Sequence, residues 1–375
     1  MTSQITAITM PKWGLTMTEG TVVGWLKQQG QSFQTGEELL EIETTKITNV
    51  FEAPEAGTLR RIVATAGATL PFGALLAVAA PEEVSDTDID AFVAGFAVPE
   101  VVTEGGTQAE AASPREVEVD ALRLRYLDLG EGTSVPALLL HGFGADLNTW
   151  MFTQPALAEG RRVITLDLPG HGGSTKELPD AGAESLAAII GKALDALGIE
   201  RAHLVGHSMG GGIAIAFVLQ HPERVATLSL IASASLGPEI NTAFIDGFVR
   251  ASRRRDATEV LSLLVRDPAL VSRTMVEDVL RYKRLDGVPA ILAKLAKEWF
   301  SGGKQRADLS DAVADLKLPV QIIWGRDDRI IPVAHAEALA AKLPVHVVDE
   351  TGHLPHMEKA GEVNRLLRQL IENQA

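Results

Sequence analysis

The chain contains no cysteine. That excludes disulfides, thiolate nucleophiles and cysteine-ligated metal centres together, and it means that any thioester chemistry must use a thiol other than the chain's own side chains. Positive net charge is also missing. The balance of −15 repels nucleic acid and anionic membranes, so neither is expected as a partner. No apolar run approaches the roughly 18 residues of a spanning helix. The most apolar window, Ala66 to Ala80, is interrupted by Gly67, Pro71 and Gly73. The start "MTSQITAITMPKW" has no basic segment followed by an apolar core, so a cytoplasmic protein is expected. No His/Asp/Glu grouping has metal-ligand spacing, and no metal is expected. What remains is 375 residues, 46% hydrophobic and 22% charged, which is a globular composition with material for two or three domains.

The first eighty residues repeat. Gly20-Thr21 recurs as Gly57-Thr58, Gly30 as Gly67, Gly36 as Gly73 and Leu39 as Leu76, each pair 37 positions apart. Two copies of a β-unit with glycines at the turns imply a small pseudo-symmetric flattened barrel. In "EIETTKITNV", Leu40 and Ile42 alternate with Glu41 and Glu43 as in a half-buried strand, and Lys46 falls where the first copy hands over to the second. A lysine in an isolated "TTK" is a solvated charge; on a packed barrel it becomes a fixed, exposed tip. With "MPKWGLTMTEG", "GQSFQTGEELLEIETTK" and "FEAPEAGTL", the segment 4–80 resembles a biotinyl/lipoyl carrier domain. Biotin carriers set the lysine between methionines, whereas Thr45 and Ile47 flank Lys46 here, so the resemblance implies lipoate attached to Lys46 by a lipoate ligase. A lipoyl arm would supply the missing thiol. Residues 81–115 read as a flexible linker, with one short helix in "PEEVSDTDIDAFVAGF" capped by Ser85 or Asp86. That helix is read as part of the linker in preference to a docking remnant.

Strands then alternate with helical stretches over 116–375, indicating a parallel sheet covered on both faces. "GHSMG", Gly206 to Gly210, follows the apolar run "HLV" and opens a Gly-rich helix, the context of a nucleophile at a strand-to-helix elbow. Ser208 needs a base and an orienting acid. "WGRDDRIIP" offers Asp327 and Asp328, and "VVDETGH" offers His353. The arrangement resembles the α/β-hydrolase family. That resemblance implies Asp328 as the acid and His353, in preference to His356, as the base, with backbone N–H groups of Phe143 and Met209 as the oxyanion hole. His141, His171 and His207 are read as loop-shaping, and His203, His221, His335 and His346 as structural. About eighty residues without strand rhythm, near 237–312, read as a helical lid. Its arginines, Arg250 and Arg253 to Arg255, read as a solvated helix face in preference to a contact for the phosphates of CoA.

An acyl carrier fused to a serine acyl-transfer fold resembles the dihydrolipoyllysine-residue acetyltransferase components of bacterial acetoin dehydrogenase complexes. The resemblance implies CoA as co-substrate, with a thiamine-diphosphate-dependent acetoin-cleaving subunit and dihydrolipoyl dehydrogenase as partners. The H-x-x-x-D-G motif of ordinary dihydrolipoyl acyltransferases is missing, and Ser208 is the natural replacement. Two other readings are a serine hydrolase for an ester or carbon–carbon bond, recruited by its lipoyl domain, and a non-catalytic carrier.

Overall fold

The 37-residue repeat is visible in the backbone. In the computed structural model, residues 5–11, 19–43, 48–53, 55–96 and 113–373 are described, and they fall into two compact units within 1–111 and 112–375. The first unit has two four-stranded sheets. One orders Thr6–Thr9, Leu75–Ala79, Gly57–Ile62 and Ser32–Phe33. The other orders Thr48–Glu52, Glu38–Glu43, Glu19–Trp25 and Thr69–Pro71. Three strands of each sheet map onto each other at the repeat spacing, and so do their hydrogen bonds. The Gly30 amide donates to the Leu59 carbonyl at 2.7 Å, and its equivalent, Gly67, donates to the Val22 carbonyl at 2.7 Å. Each copy therefore closes a turn on the other copy's strand. Val22, Leu59, Leu39 and Leu76 are all fully buried in the core between them.

Strands Glu38–Glu43 and Thr48–Glu52 pair antiparallel with Glu43 opposite Thr48. Lys46 lies between them in sequence and outside the described residues, as do residues 97–112 of the segment read as linker. The helix Asp86–Gly95 belongs to the first unit. Ser85 caps it by accepting from the Asp88 amide, and Ile89 is buried against Leu75 and Val78. Arg60 and Arg61 pair with Asp86 and Asp90. A helix held by an apolar contact has a fixed seat on its own unit.

The second unit is built on an eight-stranded sheet in the order Val345–Val348, Val320–Gly325, Val225–Ile231, Ala202–His207, Ala137–Leu140, Val163–Leu166, Leu122–Leu129 and Arg115–Val119. The first six are parallel to their neighbours, and the last two form an antiparallel edge. The central strands are buried along their length, as a sheet covered on both faces requires. Between Ile231 and Val320 the chain makes a helical layer. Its two long amphipathic stretches each break in two: Thr242–Arg250 and Arg254–Leu261, then Arg273–Lys283 and Val288–Trp299. The second break is set by Gly287, at φ +79°, and by a proline in the first turn that follows. Among the described residues no helix is long and apolar enough to cross a membrane.

Gly30 and Gly67 sit at φ +91° and +85° with open space around their Cα atoms, so only backbone strain opposes a side chain there. Gly30→Ala and Gly67→Ala are each expected to destabilise the first unit by about 1–2 kcal/mol. Gly24→Ala, equally uncrowded and without a positive φ, is expected to stay within about 0.5 kcal/mol. Chemical denaturation of the full chain measures all three, and equal effects would contradict the assignment.

Candidate active site

Strand Ala202–His207 passes into helix Met209–Gln220 through Ser208, whose φ of +52° and ψ of −120° are strained for a residue with a side chain. The strain is held by the surrounding backbone. The Ser208 amide donates to Ile231 O at 3.0 Å, and its carbonyl accepts from Gly211, Gly212 and Ala234 at 2.9, 3.2 and 2.9 Å. Both glycines of "GHSMG" are dictated by contact. A Cβ on Gly206 would lie 2.6 Å from Gly210 O, and one on Gly210 would lie 2.3 Å from Leu140 O. The elbow thus presents Ser208, slightly exposed at 8%, at the start of a helix whose dipole favours developing negative charge.

The loops after strands Val320–Gly325 and Val345–Val348 meet back to back. A Cβ on Gly325 would stand 1.9 Å from Gly352 O. This approach brings Asp328 Oδ2 to 2.8 Å from His353 Nδ1, with both side chains buried. The other carboxylate oxygen accepts from the Ile330 and Ile331 amides at 2.8 and 3.0 Å. Asp328 is thereby fixed as an acceptor, His353 carries its proton on Nδ1, and Nε2 is left as the basic nitrogen. Asp327 instead pairs with Arg266 at 3.0 Å on the surface.

The oxyanion donors named from sequence lie at a helix start and on a loop. Met209 opens the helix after Ser208 and is fully buried. The "HGFG" loop lies against the nucleophile: a Cβ on Gly142 would be 3.0 Å from Ser208 Cβ. Phe143 follows, its ring edge-on to those of Phe248 and Phe300 at 5.7 and 6.2 Å. His141 braces this loop, Nδ1 donating to Gly142 O at 2.8 Å and Nε2 accepting from the Leu168 amide at 3.0 Å. Buried Asp167 accepts from the Leu147 and Gly173 amides and from Arg125 at 2.7, 2.6 and 2.5 Å. The "DLPGHGGS" loop is therefore a carboxylate-centred brace. Among the described residues no group of three or more His, Asp or Glu side chains could hold a metal ion.

One contributor, Glu358, was not singled out in the sequence, and another, His207, was read differently. Glu358, buried, accepts from the Gly352 amide at 2.8 Å and the Arg266 amide at 2.7 Å, and burial raises its pKa above the usual carboxylate range. It ties the His353 loop to the end of the helical layer, where the His353 amide donates to Leu264 O at 2.7 Å. His207, read only as loop-shaping, donates from Nε2 to the His353 carbonyl at 2.9 Å. Its ring lies tilted against that of His356, and His356 against Trp150, each at 4.6 Å between ring centres. The available signal was the row of histidines themselves, too polar for the apolar neighbours that the chain gives them.

Burial pushes His207 well below the ordinary histidine value and His356 down to about 3. Both are neutral in the folded protein. Above pH 6.5 the unfolded chain is neutral there too, and burial carries no proton penalty. Below it the unfolded chain takes up protons that the folded one refuses, so this contribution to stability falls as pH drops from 6.5 toward about 3. Wild type is therefore expected to lose stability relative to His356→Leu by about 1.4 kcal/mol for each pH unit between 6.5 and about 3. Urea denaturation at several pH values measures it, and a pH-independent difference would contradict a neutral buried His356.

Residues 6–78 match a family model described as "Biotin-requiring enzyme", and residues 136–360 match one described as "alpha/beta hydrolase fold". The chain is 47% identical to the "Dihydrolipoyllysine-residue acetyltransferase component of acetoin cleaving system" of Pseudomonas putida, covering 97% of each. It is 44% identical to the protein of the same name from Cupriavidus necator, over 97% of this chain and 96% of that one. Among solved structures, the second unit is similar to a meta-cleavage product hydrolase from Pseudomonas fluorescens, a mutant complexed with acetates. That likeness has a TM-score of 0.64 and 25% identity, over 70% of this chain and 98% of the other. Carrier-type unit, elbow serine and full-length similarity agree: the chain belongs to the family of dihydrolipoyllysine-residue acetyltransferase components of acetoin cleaving systems.

Proposed function

We propose that this protein works in an acetoin-cleaving complex of the cytoplasm, moving acetyl groups from lipoate on Lys46 to CoA by way of Ser208. The observation that carries the reading is the union, in one chain, of a doubled carrier unit with a strained elbow serine and a buried Asp328–His353 pair at 2.8 Å. A non-catalytic scaffold has no need of that pair. The register that sets Glu43 opposite Thr48 brings the two strands flanking Lys46 together, which suits a lysine meant to project a prosthetic arm. A dihydrolipoyl group there supplies the thiol that presents acetyl as a thioester. Partner subunits of this reading are a thiamine-diphosphate-dependent enzyme that cleaves acetoin, dihydrolipoyl dehydrogenase that reoxidises the arm, and the ligase that lipoylates Lys46.

His353 Nε2 takes the proton of Ser208 Oγ as that oxygen bonds to the thioester carbonyl carbon. The Met209 and Phe143 amides receive the oxyanion, and each such donor contributes on the order of 3 kcal/mol to the transition state. As the carbon–sulfur bond breaks, His353 returns the proton to the departing sulfur, leaving an acetyl ester on Ser208. The CoA thiol then gives its proton to His353 and attacks the ester, and Ser208 recovers its proton on release of acetyl-CoA. Asp328 stays ionised and holds the imidazolium. Water attacking in place of CoA would yield acetate, so the lid's exclusion of water decides the product.

The similarity to a meta-cleavage product hydrolase favours a second reading, hydrolysis of an ester or carbon–carbon bond with the carrier unit serving only for recruitment. One experiment separates them. Lipoylated protein is reductively acetylated and mixed with CoA, and acetyl-CoA and acetate are quantified. Acetyl-CoA is expected from wild type and at least about 10³-fold less from Ser208→Ala. Acetate alone would support the hydrolase. Unchanged acetyl-CoA from the variant would overturn the role of Ser208. In the same assay Asp328→Asn is expected to lower the rate by about 10³- to 10⁴-fold, because the imidazole loses its fixed tautomer.

A further inference from the structure

We infer that the helical layer carries a phosphate site for the nucleotide end of the thiol co-substrate, formed by Arg253, Arg254, Arg281 and Arg284; this rests on the acetyl-transfer reading above. The four guanidinium groups line one cavity of about 550 Å³, with Glu277 and Leu280 in the same wall. Glu277, Leu280 and Arg281 recur at helical spacing along one side of Arg273–Lys283, and Arg284 caps its C-terminus on the same spacing. Arg253 and Arg254 face them from the start of helix Arg254–Leu261.

Charge around the cavity does not balance. Arg253 pairs with Asp256 at 2.9 Å, Arg254 and Arg273 share Glu277 at 2.7 and 2.9 Å, and Arg281 pairs with Asp278 at 3.0 Å. Among the described residues no carboxylate pairs with Arg284. Five cations thus meet three anions on a chain whose net charge is −15. The placement also breaks a local rule. A helix start carries partial positive charge and favours Ser, Asp or Asn, yet this helix begins Arg253-Arg254-Arg255 with no side-chain cap. Such a conflict marks a functional position more often than a stabilising one. The existing pairs are solvent-exposed, so each contributes little and a phosphate can displace it readily.

Packing contacts link the wall of the cavity to the loop beside Ser208. The helix that forms its wall carries Lys283, whose ammonium donates to the Phe248, Val249 and Ala251 carbonyls and so closes helix Thr242–Arg250. The Phe248 ring packs on Phe143, beside Ser208. In the proposed arrangement the phosphates of a nucleotide lie among the arginines and its long thiol-bearing arm extends past Phe248 toward the elbow. CoA, with a 3′-phosphate and a diphosphate, has that form.

The test uses full-length lipoylated protein. Adenosine 3′,5′-bisphosphate, inorganic phosphate and CoA are titrated calorimetrically into wild type, Arg281→Gln/Arg284→Gln, and Arg255→Gln, whose guanidinium pairs with Glu259 away from the cavity lining. The double variant is expected to bind CoA and the bisphosphate at least about tenfold more weakly. The Arg255 variant should match wild type, and inorganic phosphate should bind far more weakly than the bisphosphate. The KM for CoA should rise in the double variant while that for pantetheine, which has no phosphate, stays within about twofold. Wild-type affinity for the bisphosphate in the double variant, or no binding to wild type, overturns the site. If the bisphosphate binds through these arginines but no acetyl-CoA forms, the transfer reading fails and the site stands. If acetyl-CoA forms and the double variant keeps the wild-type KM for CoA, the site fails alone.

Discussion

The second unit's chemistry depends on one enforced contact, the back-to-back approach of the loops after strands Val320–Gly325 and Val345–Val348. Gly325 leaves no room for a side chain because Gly352 O stands where its Cβ would be. That closeness is what lets Asp328 reach His353 Nδ1 at 2.8 Å, and the same loop is pinned from behind by Glu358 and from the helical layer by Leu264 O. Ser208 is held by a parallel device, a positive φ sustained by four backbone hydrogen bonds. Neither element can drift without breaking buried hydrogen bonds, each of which is expensive to leave unmade. Preorganisation here is a property of packed backbone, with side chains attached to it.

Much of this could be read from residue order because the constraints are steric. Glycines 37 positions apart announce paired turns, and the observed positive φ values at Gly30 and Gly67 are the reason they recur. Gly206, Ser208 and Gly210 announce an elbow for the same kind of reason. The resemblance to the α/β-hydrolase family selects Asp328 over Asp327, and the structure puts Asp328 on the buried side of the turn and Asp327 on the surface beside Arg266. Contacts between residues far apart in sequence were not legible. The amide donors to Glu358, the bond from His207 to the His353 carbonyl and the ring contacts from His207 through His356 to Trp150 all depend on which loops meet. Helix breaks were half legible. Gly287 and the following proline signal one, whereas the non-helical backbone at Ala251, φ −56° and ψ 122°, has no sequence mark. The seating of Asp86–Gly95 through Ile89 was similarly hidden, because a short acidic helix reads as linker until its one buried face finds a sheet.

The two units answer the problem posed by a chain without cysteine. One is a double-sheet body whose strands Glu38–Glu43 and Thr48–Glu52 flank Lys46 in sequence, and in the proposed reading the other supplies the hydroxyl of Ser208. In the proposed cycle no step asks the chain's own side chains for sulfur. Serine takes acetyl from one thiol and gives it to another, and a single histidine moves the proton both ways. The arginine-lined cavity extends that logic, since an enzyme that must prefer a thiol over water gains by holding the thiol's nucleotide end in place.

The central claim is that acetyl passes through Ser208. Lipoylated protein, reductively acetylated without CoA and quenched in acid within one turnover, can be digested and the Ser208 peptide examined by mass spectrometry. The account predicts an acetyl increment on Ser208 that disappears when CoA is added before the quench. Acetyl confined to the Lys46 arm, with the Ser208 peptide bare while acetyl-CoA still forms at full rate, would contradict it.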